Sequence, residues 1–193
     1  EMSSQRHPEE VVAIIEEIFN IFDDLTDRYG VYKIETVGDA YIAGMAEQPL
    51  TARHSVVTVL CFALAMIEKT DAWSRRQNEE VNLRVGVHCG ECVGGVVGKD
   101  MQRYHLFGSI CSILDILEGT SSSGSVQIST ACFEAMQQEL GPMWNEKSQE
   151  LLSARVAKRA EDSLRTSKGE IHFYSEVGGM TYFLLPFRRH WTH

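Results

Sequence analysis

The chain has 193 residues, of which 44% are hydrophobic and 23% are charged, a composition typical of one globular domain with a sizeable core. Its net charge is −9, and the acidic residues are scattered. This argues against a nucleic-acid-binding surface, in which Lys and Arg cluster on one face. The longest apolar stretch, Val56 to Ile67, is much shorter than the roughly 20 residues that a membrane-spanning helix needs.

The five cysteines are an odd number, and most lie in apolar or strand-like contexts. This pattern fits a reducing compartment better than a disulfide scaffold, and we expect an intracellular location facing the cytosol. The chain begins with Glu1 and shows no charged-then-apolar leader, which predicts a piece of a longer protein. Whether that protein is attached to a membrane or belongs to a large complex is open.

The first half of the chain predicts two helices around a hairpin. Apolar residues recur at steps of three and four from Pro8 to Tyr29, with Gly30 suited to end that helix. Strand-like runs follow at Val31–Thr36 and Ala40–Met45, separated by a turn-forming Gly-Asp pair. A second helix is predicted from about Leu50 to Gln77.

The second half alternates short strands and helices. The predicted elements are strands at Leu83–Val87, Val93–Val97 and Tyr104–Phe107, a helix at Ile110–Leu117, a strand at Val126–Ile128, a helix ending near Gln138, and strands at Glu170–Tyr174 and Thr181–Leu185. This order favours an α+β fold, with helices packed on a mixed or antiparallel sheet.

A polar stretch interrupts this order between Leu140 and Lys168. It has the character of an insertion, with a possible amphipathic helix at Leu151–Leu164 whose basic residues, Arg159 among them, form a solvated face. We therefore expect a single domain over 1–185, with an insertion at 140–168 and a tail at 186–193.

Two blocks in register carry a resemblance to a known family. The first, 31–41, reads VYKIETVGDAY, and the second runs from LRVGVH (83–88) through GGVVG (94–98) to RYHLFG (103–108). Together they resemble the catalytic domain of class III adenylate and guanylate cyclases, guanylate branch, over nearly the whole chain. The resemblance implies a ferredoxin-like βαββαβ-type fold.

Such a cyclase holds a nucleoside triphosphate on two divalent ions and activates its ribose 3′ hydroxyl for attack on the α-phosphorus. Mg²⁺ prefers carboxylate oxygens, and the resemblance implies that Asp39 is one of two metal-ligating Asp residues, for Mg²⁺ or Mn²⁺. The other Asp would lie upstream of Met2. Asp39 beside Gly38 also has a plainer interpretation, as ordinary turn chemistry.

The resemblance places Glu35 and His105 at the two base-reading positions. A carboxylate at 35 accepts hydrogen bonds from the donor edge of guanine, which favours GTP over ATP. The family commonly has Cys or Asp where this chain has His105, so the choice of base is open. Glu35 could also be a solvent-facing strand residue, and His105 and His88 could be structural.

Three positions depart from the family pattern. Ser112 and Ile116 stand where the family carries an Asn and an Arg that reach the ribose and α-phosphate, and Glu176 stands where a Lys contacts the β- and γ-phosphates. An isoleucine offers no donor to phosphate, although it could extend an apolar helix face. Glu176 would repel a polyphosphate.

The family's active sites lie at a dimer interface. One subunit supplies the metal carboxylates, and the other supplies the Asn, Arg and Lys. The chain is therefore expected to be inactive alone, as the metal-donating half of a heterodimer with a second cyclase-type domain that makes cyclic GMP and pyrophosphate from GTP. The alternative is a pseudocyclase that serves as a dimerisation, regulatory or structural module.

One further spacing has two interpretations. Cys89 and Cys92 have the spacing of half a zinc site, without a second pair, and an ordinary turn at a strand end is favoured.

Overall fold

The computed structural model describes residues 7–45, 55–99, 102–141 and 155–185. These described residues fall into two compact units, the first formed by those within 7–81 and 92–107, the second by those within 82–91 and 108–185. Each unit combines helices with sheets, so the predicted α+β class is confirmed.

The first unit begins with the long helix α1, Pro8–Tyr29. Pro8 lies in its first turn, where its missing N–H costs no hydrogen bond. Gly30 ends the helix with φ 64°, a left-handed conformation that glycine adopts without strain, and its N–H binds the carbonyl of Thr26. The periodicity therefore predicted this helix correctly.

A second helix, α2 (Val56–Gln77), packs against α1. The hydroxyl of Ser55 accepts the N–H of Thr58 and caps its start. Across the contact, Trp73 Nε1 donates to Glu17 Oε2 at 2.8 Å. The predicted helix began near Leu50, and residues 50–54 lie outside the described part of the chain.

Two hairpins complete the first unit. β1 (Tyr32–Val37) pairs antiparallel with β2 (Ala40–Gly44), and a register shift interrupts the pairing between Lys33 and Glu35. β4 (Val93–Val97) pairs in the same way with β5 (Arg103–Phe107).

The second unit is built on a mixed four-stranded sheet. Its strands are β3 (Val85–Val87), β6 (Val126–Ser129), β7 (Val156–Lys158) and β10 (Thr181–Leu184), accompanied by helices α3 (Ser109–Gly119) and α4 (Thr130–Leu140). The strand order in this sheet is β3-β6-β10-β7, parallel between β3 and β6 and antiparallel elsewhere. Val126 and Ile128 are fully buried in its centre.

A small ribbon lies between β7 and β10 in the sequence. β8 (Leu164–Arg165) pairs with β9 (Ile171–His172), and a 3₁₀ helix follows at Tyr174–Val177. The strand predicted over Glu170–Tyr174 is therefore shorter than expected.

The helix predicted at Leu151–Leu164 is wrong over 155–164, and residues 151–154 lie outside the described part. β7 pairs with β10 instead, so its backbone hydrogen bonds go to the sheet. Arg159 is buried rather than solvated, and it donates to Thr120 O at 2.6 Å and Gln127 Oε1 at 3.0 Å. The guanidinium thus joins the end of β7 to the interior of the second unit.

In the described part of the chain, no helix has both the length and the apolar character needed to cross a membrane.

Replacing Arg159 tests this buried network. Arg159→Leu leaves the acceptors on Thr120 and Gln127 without their donor, and each unsatisfied buried group costs about 1–3 kcal/mol. We expect the free energy of unfolding to fall by about 2–4 kcal/mol in urea denaturation. The control, Lys158→Ala at the exposed neighbouring position, should change it by less than about 0.5 kcal/mol. Equal effects of the two substitutions would contradict the network.

Candidate functional site

Asp39 lies at the tip of the β1–β2 hairpin. The strands close on the pair Val37 and Ala40, which leaves Gly38 and Asp39 as the two turn residues. Gly38 has φ 61°, as the first position of a type II′ turn requires. The sequence thus folds into a turn that holds the Asp39 side chain exposed to solvent.

A polar contact anchors this hairpin to α1. Asp23 on the helix accepts a hydrogen bond from Tyr41 Oη at 2.6 Å and pairs with Lys33 Nζ at 2.9 Å. The Tyr41 ring also packs edge-on against Phe19 and Phe22. Both strands of the hairpin are therefore bound to the carboxylate of Asp23. The contact through Tyr41 lies two residues from Asp39 along β2.

The contact shifts the acidity of both partners. Partial burial acts to raise the pKa of Asp23, but the hydrogen bonds from Tyr41 and Lys33 outweigh it and hold that pKa below its usual value. Burial, followed by the hydrogen bond to Asp23, raises the pKa of the Tyr41 phenol. Tyr41 therefore stays protonated and acts as a donor at neutral pH.

The two predicted base-reading residues lie side by side. His105 Nδ1 on β5 is 3.3 Å from Glu35 Oε2 on β1, within the first unit. Both side chains are partly exposed. The pair offers carboxylate oxygens and an imidazole, which suit the donor and acceptor groups on one edge of a purine.

The two predicted positions on α3 have different surroundings. Ser112 is exposed, whereas Ile116 packs against a buried cluster of Leu117, Leu164 and Val177. This packing supports the alternative that Ile116 extends the apolar face of the helix. Its side chain stabilises the second unit and presents no polar group.

Glu176 is engaged by its own 3₁₀ helix. Its carboxylate accepts the N–H of Phe173 at 2.6 Å and lies 3.4 Å from His172 Nδ1. The hydrogen bond from Phe173, followed by that from His172, holds the pKa of Glu176 below its usual value. The residue is therefore an anion that caps a helix.

A divalent metal does not fit the described residues by themselves. No group of three or more His, Cys, Asp or Glu side chains in this part of the chain could hold a metal ion. Asp39 is one exposed carboxylate, and a Mg²⁺ or Mn²⁺ site needs further ligands. The predicted first Asp would lie outside the described residues.

His88 has a structural environment. Its Nδ1 lies 2.8 Å from Ser129 Oγ, and burial lowers the pKa of its imidazole. The contact with Ser129 supports the structural interpretation of His88.

Comparison with known proteins agrees with the family resemblance of the two sequence blocks. The family model described as "Adenylate and Guanylate cyclase catalytic domain" matches residues 1–183. The chain belongs to this family.

Curated relatives include receptor-type members of the cyclase family. Atrial natriuretic peptide receptor 2 of Anguilla japonica is 32% identical over 137 residues, 70% of this chain and 13% of that protein. Guanylate cyclase 32E of Drosophila melanogaster is 36% identical over 141 residues, 71% of this chain and 12% of that protein. The chain thus spans about an eighth of the length of these relatives.

Solved cyclase domains share the fold. The non-canonical dimeric guanylyl cyclase domain of the RhoGC fusion protein from Blastocladiella emersonii has a TM-score of 0.69 at 23% identity, covering 96% of this chain and 88% of that one. The same values hold for the guanylate cyclase domain of RhGC from Catenaria anguillulae, solved in complex with GTP.

Sequence reasoning missed Asp23, which anchors the hairpin of this cyclase-family chain. Its partners Lys33 and Tyr41 stand on two strands, and nothing local shows that a helix residue meets both. The only signal was an acidic residue on α1 among the apolar ones that form its buried face.

The Asp23 contact predicts a pH-dependent contribution to stability. Because the folded pKa of Asp23 lies below its ordinary value of 3.8, the contribution is present above that value and is lost as the pH falls through the folded pKa. Asp23→Asn should be less stable than the parent at pH 7, and the difference should shrink in acid. Urea midpoints between pH 7 and pH 2 measure it. A constant difference across this range would contradict the proposed ion pair.

Proposed function

We propose that the chain is a guanylate-cyclase-type subunit that is inactive alone and supplies Asp39 to a composite site completed by a second cyclase-type domain. The reaction is conversion of GTP to cyclic GMP and pyrophosphate. The observation that carries the proposal is the packing of Ile116 against an apolar cluster and the use of Glu176 as a helix cap, at two positions where the family resemblance expects phosphate-binding cations.

Losing the phosphate-binding groups of the family would raise the activation free energy of the reaction substantially. Losing one preorganised donor to a developing anion costs about 3–4 kcal/mol, or roughly a hundred- to a thousand-fold in rate. Ser112, Ile116 and Glu176 replace three such groups, and Glu176 adds a negative charge. Even with non-additive effects, a homodimer of this chain should have two dead sites.

Asp39 supports a role in the opposite half of the site. The β1–β2 hairpin holds its carboxylate exposed, and Asp23 fixes the hairpin through Tyr41 and Lys33. Its suggested role is as one ligand for Mg²⁺ or Mn²⁺. Because one carboxylate is insufficient, the proposal also requires a second carboxylate from outside the described residues.

The name of Guanylate cyclase 32E and the two solved guanylate cyclase domains support GTP as the substrate, although the chain spans only 11–13% of the first curated relatives. One solved structure holds GTP and another is described as dimeric. By the family resemblance, Glu35 and His105 stand at the two guanine-reading positions. In the family, however, that pair belongs to the half that also binds phosphate, so it would be idle in a heterodimer.

A specific observation favours a second candidate, a pseudocyclase module without catalysis. Glu35 and His105 lie 3.3 Å apart and can satisfy each other without a base. In that case, the cyclase fold would serve dimerisation, regulation or the architecture of a larger assembly.

Cyclase assays separate these candidates. The chain alone and the chain mixed with a cyclase-type domain that carries the Asn, Arg and Lys are supplied with GTP or ATP and Mn²⁺. We expect no turnover alone and turnover of GTP in the mixture. A mixture that associates in size-exclusion chromatography but stays inactive supports the pseudocyclase, and turnover by the chain alone contradicts both candidates.

Replacing Asp39 tests its role in the active mixture. Asp39→Asn removes one metal-binding charge and keeps the shape of the turn, so activity should fall about a hundred-fold or more. Asp24→Asn, the same chemical change at an exposed position of α1, serves as the control and should leave activity within about two-fold. Equal activity of the two variants would remove Asp39 from the site.

A further inference from the structure

Two cysteines of the second unit lie in contact. Cys89 follows β3 and Cys132 lies in the first turn of α4, which itself follows β6. Because β3 and β6 are parallel neighbours, both residues stand at the same edge of the sheet. Their Sγ atoms are 2.8 Å apart.

We propose that Cys89 and Cys132 form a reversible intrachain disulfide when the chain meets a peroxide. The inference is independent of the proposed cyclase function. It depends on the geometry of the second unit and on the different environments of the two thiols.

The geometry favours the bond. A disulfide has an S–S length of about 2.05 Å, so the two sulfur atoms would have to approach by less than about 1 Å. The residue that bears the buried sulfur is also fixed, since the N–H of Cys132 donates to Ser129 Oγ at 3.3 Å in the cap of α4. The pair is therefore preorganised, and no element has to unfold.

The two thiols differ in access and acidity. Cys89 is partly exposed, whereas Cys132 is fully buried. The hydrogen bond from the Cys132 thiol lowers the pKa of Cys89, while that bond and burial raise the pKa of Cys132. The more accessible sulfur is thus also the better thiolate, and the thiolate is the nucleophile.

These environments assign the order of steps. The Cys89 thiolate attacks one peroxide oxygen, the O–O bond breaks, and the departing hydroxide takes a proton to become water, leaving a sulfenic acid on Cys89. The sulfur of Cys132 then attacks the sulfenic sulfur. The S–O bond breaks, the thiol proton leaves with the hydroxyl as a second water, and the disulfide forms. Two thiols are oxidised and one peroxide is reduced. An added dithiol then reduces the disulfide back to two thiols by exchange and is itself oxidised.

The bond would restrain a defined loop. The chain between Cys89 and Cys132 contains β5 with His105 and α3 with Ser112 and Ile116. Closing a loop of this length limits the unfolded ensemble more than the folded one. Oxidation should therefore raise the melting temperature.

The test treats the purified chain with hydrogen peroxide and maps its peptides by mass spectrometry without reduction. We expect a Cys89–Cys132 cross-linked peptide, a rise of about 5–15 °C in melting temperature, and loss of both after dithiothreitol. This measurement uses the unsubstituted chain, so it does not depend on whether a variant folds. A Cys89–Cys92 bond, or no disulfide while exposed Cys61 is oxidised, would overturn the proposal.

Two substitutions sharpen the result. Cys132→Ser should abolish the cross-link and leave Cys89 as a sulfenic acid that dimedone labels. Cys92→Ser, a matched control three residues from Cys89, should form the cross-link as the parent does. Loss of the cross-link in Cys92→Ser, or its persistence in Cys132→Ser, would contradict the assignment.

Discussion

The packing of Ile116 against Leu117, Leu164 and Val177 fixes what α3 can offer to a ligand. An Arg at position 116 would have to extend its charged guanidinium group out of that apolar cluster. The partly buried Ile116 stabilises the helix through this packing, and α3 presents no cation. Glu176, in the 3₁₀ helix whose Val177 joins the same cluster, is held as an anion by Phe173 and His172. The second unit thus stabilises itself with residues at positions that, by resemblance, bind phosphate in the family.

The first unit, in contrast, exposes a carboxylate that a ligand can reach. Its hairpin is tied to α1 through Asp23, and the turn leaves the Asp39 carboxylate exposed. The carboxylate of Asp23 is used internally, while that of Asp39 is available to a ligand. This contrast between the units is what favours a composite site over a homodimeric cyclase. The Glu35–His105 pair is the feature that the composite site leaves unused.

Local signals explain which parts of the fold could be predicted. Periodicity with Pro8 and Gly30 at its ends was enough for α1, and Gly38 was enough for the hairpin turn. The sequence did not predict β7, because this segment forms a strand only through its pairing with β10, which is distant in the sequence. For the site, the resemblance pointed to Glu35 and His105, but only the fold brings β1 beside β5. The role of Glu176 as a cap also depends on a short 3₁₀ helix that the local sequence does not predict.

We infer that this polypeptide alone cannot neutralise a nucleoside triphosphate. Equilibrium titration of the chain with a non-cyclisable GTP analogue and Mn²⁺, monitored by calorimetry, tests this inference most directly. We expect no saturable binding in the concentration range where an active cyclase pair saturates. Saturable binding by the chain alone, weakened when one of its Lys or Arg residues is replaced by Ala, would contradict it.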